Sequence, residues 1–225
     1  PLSHSWWGKP APGDGDAGRR ARAIYYGLVM QLDAQLGRLL DVLTERGELD
    51  RTLVILTSDH GEMLGDHHLW GKAGVFRQAF HVPLVIRDPA LRQAAGRRVS
   101  AFTEHVDLLP TILERLGAEV PRTLDGRSLG PWLRGETPGD WRAATHYEHD
   151  FRDVATRVFE AALGLPSDRC QLAVHHDARL AYVHFNGLPP LAFDLAADPD
   201  QTTDLAGDPV RAADVLAAAQ AMLTW

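Results

Sequence analysis

"TLVILTSDHGEMLGDHHLWGKAG", residues 52–74, decides how this 225-residue chain is read. Four large apolar residues, Leu53 to Leu56, stand in succession between Thr52 and Thr57. The run lacks the alternation of a half-exposed strand, so it predicts a strand buried on both faces. Directly after it come Asp59 and His60, and thirteen residues past Asp59 comes Lys72. In open α/β sheets ligands gather beyond the carboxyl ends of the strands, where loop side chains converge while the sheet holds them still. A carboxylate oxygen suits Ca²⁺, Mg²⁺ or Mn²⁺, and an imidazole shifts the choice toward Mn²⁺ or Zn²⁺. Gly61 is expected to let the backbone turn tightly so that both side chains face one ion. Spacing alone leaves other readings open: Asp59 with Glu62 also fits a capping box that starts a helix. His67 and His68 fit solvated loop histidines better than ligands, and Lys72 alone fits a surface lysine.

Upstream, Ile24, Leu28, Leu32, Leu36, Leu39, Leu40 and Leu43 recur at steps of three and four. This predicts a helix from about Arg19 to a glycine stop at Gly47, with an apolar face that covers a core. Residues 8–18, rich in Gly, Pro and Asp, read as a loop. Downstream, "FHVPLVIRDP" predicts a second strand in which Pro83 must sit at an edge, an end or a bulge. "VDLLPTILERLG" predicts a helix from near Val106 to Gly117, which tolerates Pro110 only in its first turn. A short helical turn is expected around Ser128 to Leu133, and a junction at 135–142. Beyond it, "CQLAVHH" and "LAYVHFNG" read as strands and "DLAADPDQTTDLAGDP" as two Asp-Pro turns. Asp208 and Pro209 suit the N-cap and first position of a terminal helix. Alternating helices and strands make the chain α/β. Two parts are expected, an α/β portion at 1–140 and a small α+β subdomain at 141–225.

With 45% hydrophobic residues the chain can fill a core. Its net charge of −7, with no block of Lys or Arg, argues against a nucleic-acid or anionic-membrane surface and leaves a small molecule as the expected partner. No run approaches the roughly 18 apolar residues of a membrane span. The single cysteine, Cys170, cannot close an internal disulfide. That favours a reducing, cytoplasmic setting. The opening "PLSHSWW", without an initiator Met, reads as the interior of a longer protein, so an N-terminal portion is expected to be missing.

The stretch from "YYGLVMQLDAQLGRLL" through "TSDHGEMLGDHHLWGKAG", with "HVPLVIRDP", "HVDLLPTILERLG", "LDGRSLGPWLRGE" and "FDLAADPDQTTDLAGDP" following in order, resembles the C-terminal half of the sulfatase family in the alkaline phosphatase superfamily. The Asp-His pair and "EHDFR" at 148–152 are similar to its phosphonate monoester hydrolase and arylsulfatase subgroup. The resemblance implies an incomplete alkaline phosphatase-like sandwich. It also implies Asp59 and His60 as metal ligands for Ca²⁺ or Mn²⁺, and Lys72 as a catalytic contact to the sulfuryl or phosphoryl group. The family nucleophile is a formylglycine made from cysteine in a Cys-x-Pro/Ala-x-Arg motif. Cys170 departs from it, since Val174 stands where the arginine belongs, so the nucleophile is expected in the missing portion. The implied substrate is a small sulfate, phosphonate or phosphate ester, and the implied assembly a dimer or tetramer. Two alternatives stand: a phosphodiesterase or phosphatase with a Ser or Thr nucleophile, and a non-catalytic, metal-stabilised binding module.

Overall fold

The leucine-rich segment forms α1, Asp16–Glu45, thirty residues long, and Gly47 at φ +65° follows its end. A computed structural model describes residues 15–72 and 74–225; the Trp6–Trp7 pair and most of the expected loop at 8–18 lie outside them. The helix begins at Asp16 and so takes in three residues assigned to that loop. Its apolar face does not cover a core among the described residues: Ile24, Leu28, Leu32 and Leu39 are more than half exposed, while Leu36, Leu40 and Leu43 are half-buried.

The chain then divides into two compact units, the first ending near Arg97 and including Leu133–Gly135, the second comprising Arg98–Trp132 and Glu136–Trp225. In the first, β1 (Val54–Thr57) pairs antiparallel with β2 (Leu84–Arg87), with Ile55 opposite Ile86 and Thr57 opposite Leu84. All four β1 residues are half-buried, so the strand expected to be covered on both faces is only partly covered among the described residues. Pro83 stands just before β2, where its missing N–H costs no ladder bond. A short helix, α2 (Arg77–Phe80), lies between the strands. Arg87 donates to the Leu49 carbonyl at 2.6 Å and to Asp50 at 3.1 Å, tying the end of β2 to the turn that follows α1.

The second unit opens with α3 (Leu108–Arg115), in whose first turn Pro110 lies buried, and Gly117 at φ +69° follows its end. After α4 (Gly130–Leu133) comes an antiparallel meander, β3 (Ala144–Asp150), β4 (Gln171–Asp177), β5 (Leu180–Phe185) and β6 (Leu191–Asp194), in that spatial order. The helix α5 (Val158–Leu163) sits in the β3–β4 connection. The terminal helix α6 (Ala212–Leu223) places Ala218 against Leu180, Tyr182 and Ala192 of the sheet. It starts later than expected: Asp208 caps a preceding turn through the Val210 N–H, and Arg211 holds the N-cap position.

The compact units part near Arg98, and the chain leaves the first unit again after Gly135, where the expected junction at 135–142 begins. A polar bracket ties the second unit together. Asp107, fully buried, accepts from Arg142 Nη2 at 2.7 Å, from the Arg127 N–H at 2.8 Å and from the Glu104 N–H at 2.9 Å. Glu104 in turn accepts from the His146 N–H at 2.8 Å. These bonds fasten the segment before α3 to the first strand of the meander.

Candidate active site

The loop leaving β1 carries the residues singled out from the sequence. Ser58 Oγ donates to the His60 carbonyl at 2.7 Å, and the Gly61 N–H donates to the Ala79 carbonyl at 2.7 Å. A Cβ on Gly61 would meet the Gln78 carbonyl oxygen at 2.0 Å. Close passage of the backbone at the start of α2, not a tight turn, therefore demands glycine here.

No helix starts at Asp59, so the capping-box alternative fails: residues 58–63 have no regular structure. The Asp59 side chain is 85% exposed, and its Oδ1 accepts the His60 N–H at 2.9 Å. That backbone bond, followed by the neighbouring His60 and Lys72, holds the carboxyl below its usual range despite some opposing desolvation. His60 Nδ1 lies 2.8 Å from the Gly61 carbonyl, an acceptor only, so Nδ1 carries a proton and Nε2 is the nitrogen left to present a lone pair when the ring is neutral. Nε2 is 3.6 Å from Asp59 Oδ2. The two donors lie side by side, with the second imidazole nitrogen fixed by a backbone carbonyl, as is usual for histidines that bind metals.

Lys72 is exposed and close enough to Asp59 for its charge to act on that carboxyl. His67 and His68 do not join the pair. His67 stacks on Phe76 with ring centroids 3.6 Å apart and planes 3° from parallel. Both histidines, with Leu64, have φ between 51° and 60°, three non-glycine residues in left-handed backbone within one short loop. Among the described residues no group of three or more His, Cys, Asp or Glu is placed to hold a metal ion. Asp59 and His60 fit one edge of a coordination sphere and do not complete it.

Sequence reasoning missed two contacts. Arg22 of α1 donates to the Leu64 carbonyl at 3.1 Å and lies over the Trp70 ring, 5.9 Å from its centroid. Glu62 accepts from the Gly71 N–H at 2.6 Å and the Leu64 N–H at 3.2 Å. No residue pattern announces either, because both partners include backbone groups. Cys170 is fully buried, its Sγ 3.6 Å from the Pro166 carbonyl, and burial pushes its thiol up.

Residues 3–118 match the family model described as "Sulfatase", and residues 65–223 match that of "N-sulphoglucosamine sulphohydrolase, C-terminal". The chain belongs to the sulfatase family. It is 50% identical over 207 residues to the multifunctional alkaline phosphatase superfamily protein PehA of Trinickia caryophylli, covering 92% of this chain and 40% of that protein. It is 31% identical over 189 residues to arylsulfatase K of Xenopus laevis, covering 84% and 34%. Among solved structures it superposes on the phosphonate monoester hydrolase of Agrobacterium radiobacter with a TM-score of 0.86 and 49% identity, covering 90% of this chain and 40% of that one. The chain thus spans well under half the length of these relatives, and its fold is the mixed α/β fold of sulfatase and alkaline phosphatase-like proteins over a partial length.

Proposed function

We propose that this chain supplies one edge of the active site of a metal-dependent hydrolase acting on phosphonate monoesters or sulfate esters. Asp59 and His60 are the metal ligands and Lys72 the cation beside the transferred group. One observation carries the reading: the loop that follows β1 holds an exposed carboxylate kept below its usual range, an imidazole whose Nε2 lies 3.6 Å from it, and a lysine whose charge acts on that carboxylate. The likeness to a phosphonate monoester hydrolase and to arylsulfatase K supports the substrate class. The Asp-His pair favours the phosphonate side of that choice.

When bound, a divalent cation polarises a non-bridging oxygen of the ester and neutralises charge that develops on it. Asp59 contributes a negative oxygen that stays deprotonated at neutral pH. The Nδ1–H bond to Gly61 keeps the His60 ring from rotating Nε2 away. Lys72 contributes a positive charge to the equatorial oxygens, and charge aimed at where the transition state is most negative stabilises it more than the ground state. Cys170 does not serve as nucleophile in this reading, since it is buried with a raised thiol pKa. The nucleophile, a formylglycine in this proposal, lies outside these 225 residues, and the chain alone is not expected to turn over ester.

The test uses protein isolated from its native source, assayed with an aryl phosphonate monoester and an aryl sulfate in Mn²⁺ or Ca²⁺. Lys72→Ala should lower turnover roughly 10²-fold, the loss typical of one transition-state donor. Turnover within about threefold of wild type would remove Lys72 from the chemistry, being far below that range. In the native-source protein, Mn²⁺ should raise the melting temperature through binding to the native state, and Asp59→Ala should abolish the rise. Metal stabilisation without hydrolysis of either ester by the native protein would favour a non-catalytic metal-binding module.

A further inference from the structure

We propose that Glu62 is a positioning residue, whose carboxylate carries Lys72 to the side of Asp59 and His60. The catalytic consequence rests on the reading of Lys72 given above; the structural claim does not. Thirteen residues separate Lys72 from Asp59, and the loop doubles back so that Gly71 lies against Glu62 and Met63. Two backbone bonds accomplish part of this: the Met63 N–H donates to the Gly71 carbonyl at 2.9 Å, and the Gly65 N–H to the Leu69 carbonyl at 2.8 Å. The remaining closure comes from a side chain. Glu62 Oε1 accepts from the Gly71 N–H at 2.6 Å and, on its own arm of the loop, from the Leu64 N–H at 3.2 Å.

Gly71 immediately precedes Lys72, and Glu62 stands two residues after His60. A single half-buried carboxylate oxygen therefore links the arm bearing the metal pair to the arm bearing the lysine. Bonds from a backbone N–H to an ionised carboxylate are among the stronger ones in proteins. Gly71 has φ +78°, a conformation open to glycine, so the backbone can swing directly into Lys72. Lys72 is exposed and its four-carbon stem is flexible, so its average position follows from where its backbone is held. Both of these Glu62 contacts are to backbone N–H groups, and among the described residues Asp59, His60 and Glu62 form no group placed to hold a metal ion.

The experiment is carbon NMR of the Asp59 side-chain carboxyl in the 225-residue chain at neutral pH. Lys72→Met should move that resonance in the wild-type background, because it removes a nearby charge. In a Glu62→Ala background the same substitution should leave it in place, and in Glu62→Gln, which retains an Oε1 acceptor, the response should return. An equal response in the wild-type and Glu62→Ala backgrounds, or none in the wild type, overturns the proposal. Should Glu62→Ala lose its dispersed spectrum, Glu62→Asp, one methylene shorter, provides the same comparison. In the native-source enzyme, Glu62→Ala should reduce turnover as far as Lys72→Ala does, and the double variant no further. If Lys72→Ala leaves turnover unchanged while the NMR response follows Glu62, the catalytic reading fails and the positioning role stands.

Discussion

The two compact units close their interiors to different degrees. In the second, Val174, Ala181, Val183 and Ala192 are at most 1% exposed, β5 is buried at five of its six positions, and α6 lies on the sheet. In the first, the described core is a cluster of Met63, Leu69 and Ala79 with Phe76 and Phe80 packed on it, while β1 is half-buried and α1 shows three of its six leucines to solvent. The candidate site belongs to the more open unit. The difference teaches that burial and chemistry need not coincide: the second unit holds the tighter core, while in the first, exposed donors are placed by backbone contacts.

The comparison breaks first at Asp107. Removing it leaves Arg142 without its main partner in a largely buried setting, and Asp107→Ala should cost about 3–5 kcal/mol, the usual penalty for stranding a buried charge. Urea unfolding of the 225-residue chain reads this; a loss below about 1 kcal/mol, the scale of surface pairs, would mean that the bracket does not hold the second unit together.

Gly61→Ala tests the first unit at its tightest point. A methyl group cannot share the space of the Gln78 carbonyl, so the loop must shift, at roughly 1–3 kcal/mol for overpacking of this kind. Mn²⁺ stabilisation should fall with it. Unchanged stability and metal response would show that the passage between the loop and α2 is looser than its geometry.

Acid separates the units by a different route. His146 lies 2.8 Å from His175 across the β3–β4 ladder and stacks on Trp225. Desolvation first, then His175 and Arg142, lowers its pKa from near 6.5 to about 4. Between those values the unfolded chain binds a proton that the folded chain does not. The contribution is therefore intact above about pH 6.5 and is lost as pH falls toward 4. The second unit should lose stability over that window, and His146→Gln should flatten the dependence. Amide exchange resolved by unit, at pH 7 and pH 4.5, checks both.

The smallest effect is expected on α1. Leu32 is 63% exposed, and Leu32→Ala should change stability by no more than about 0.5 kcal/mol. A loss above about 2 kcal/mol, the scale of core truncation, would reveal that the helix face is covered in solution.

Much of this organisation is legible in the residues. The helical spacing of the α1 leucines, the glycines after α1 and α3, the apolar runs of β1, β4 and β5, and the place of Pro83 and Pro110 were all readable, because each is a local pattern with a local cause. Strand β3 was not, since "ATHYEHD" has no apolar alternation and becomes a strand by pairing with β4 and bonding to Glu104. Strand β6 was hidden among aspartates that read as turns, and only its register against β5 makes it one.

By itself, the sequence determined the family, the mixed α/β class and the three side chains placed after the first strand, because these follow from residue type and order. Tertiary structure decided how those side chains are held. The demand for glycine at 61 comes from the Gln78 backbone, the orientation of His60 from the Gly61 carbonyl, and the return of the loop toward Lys72 from Glu62. Each depends on a backbone atom, and backbone atoms are the same in every residue. A sequence can name a side chain but does not show which peptide group it will meet.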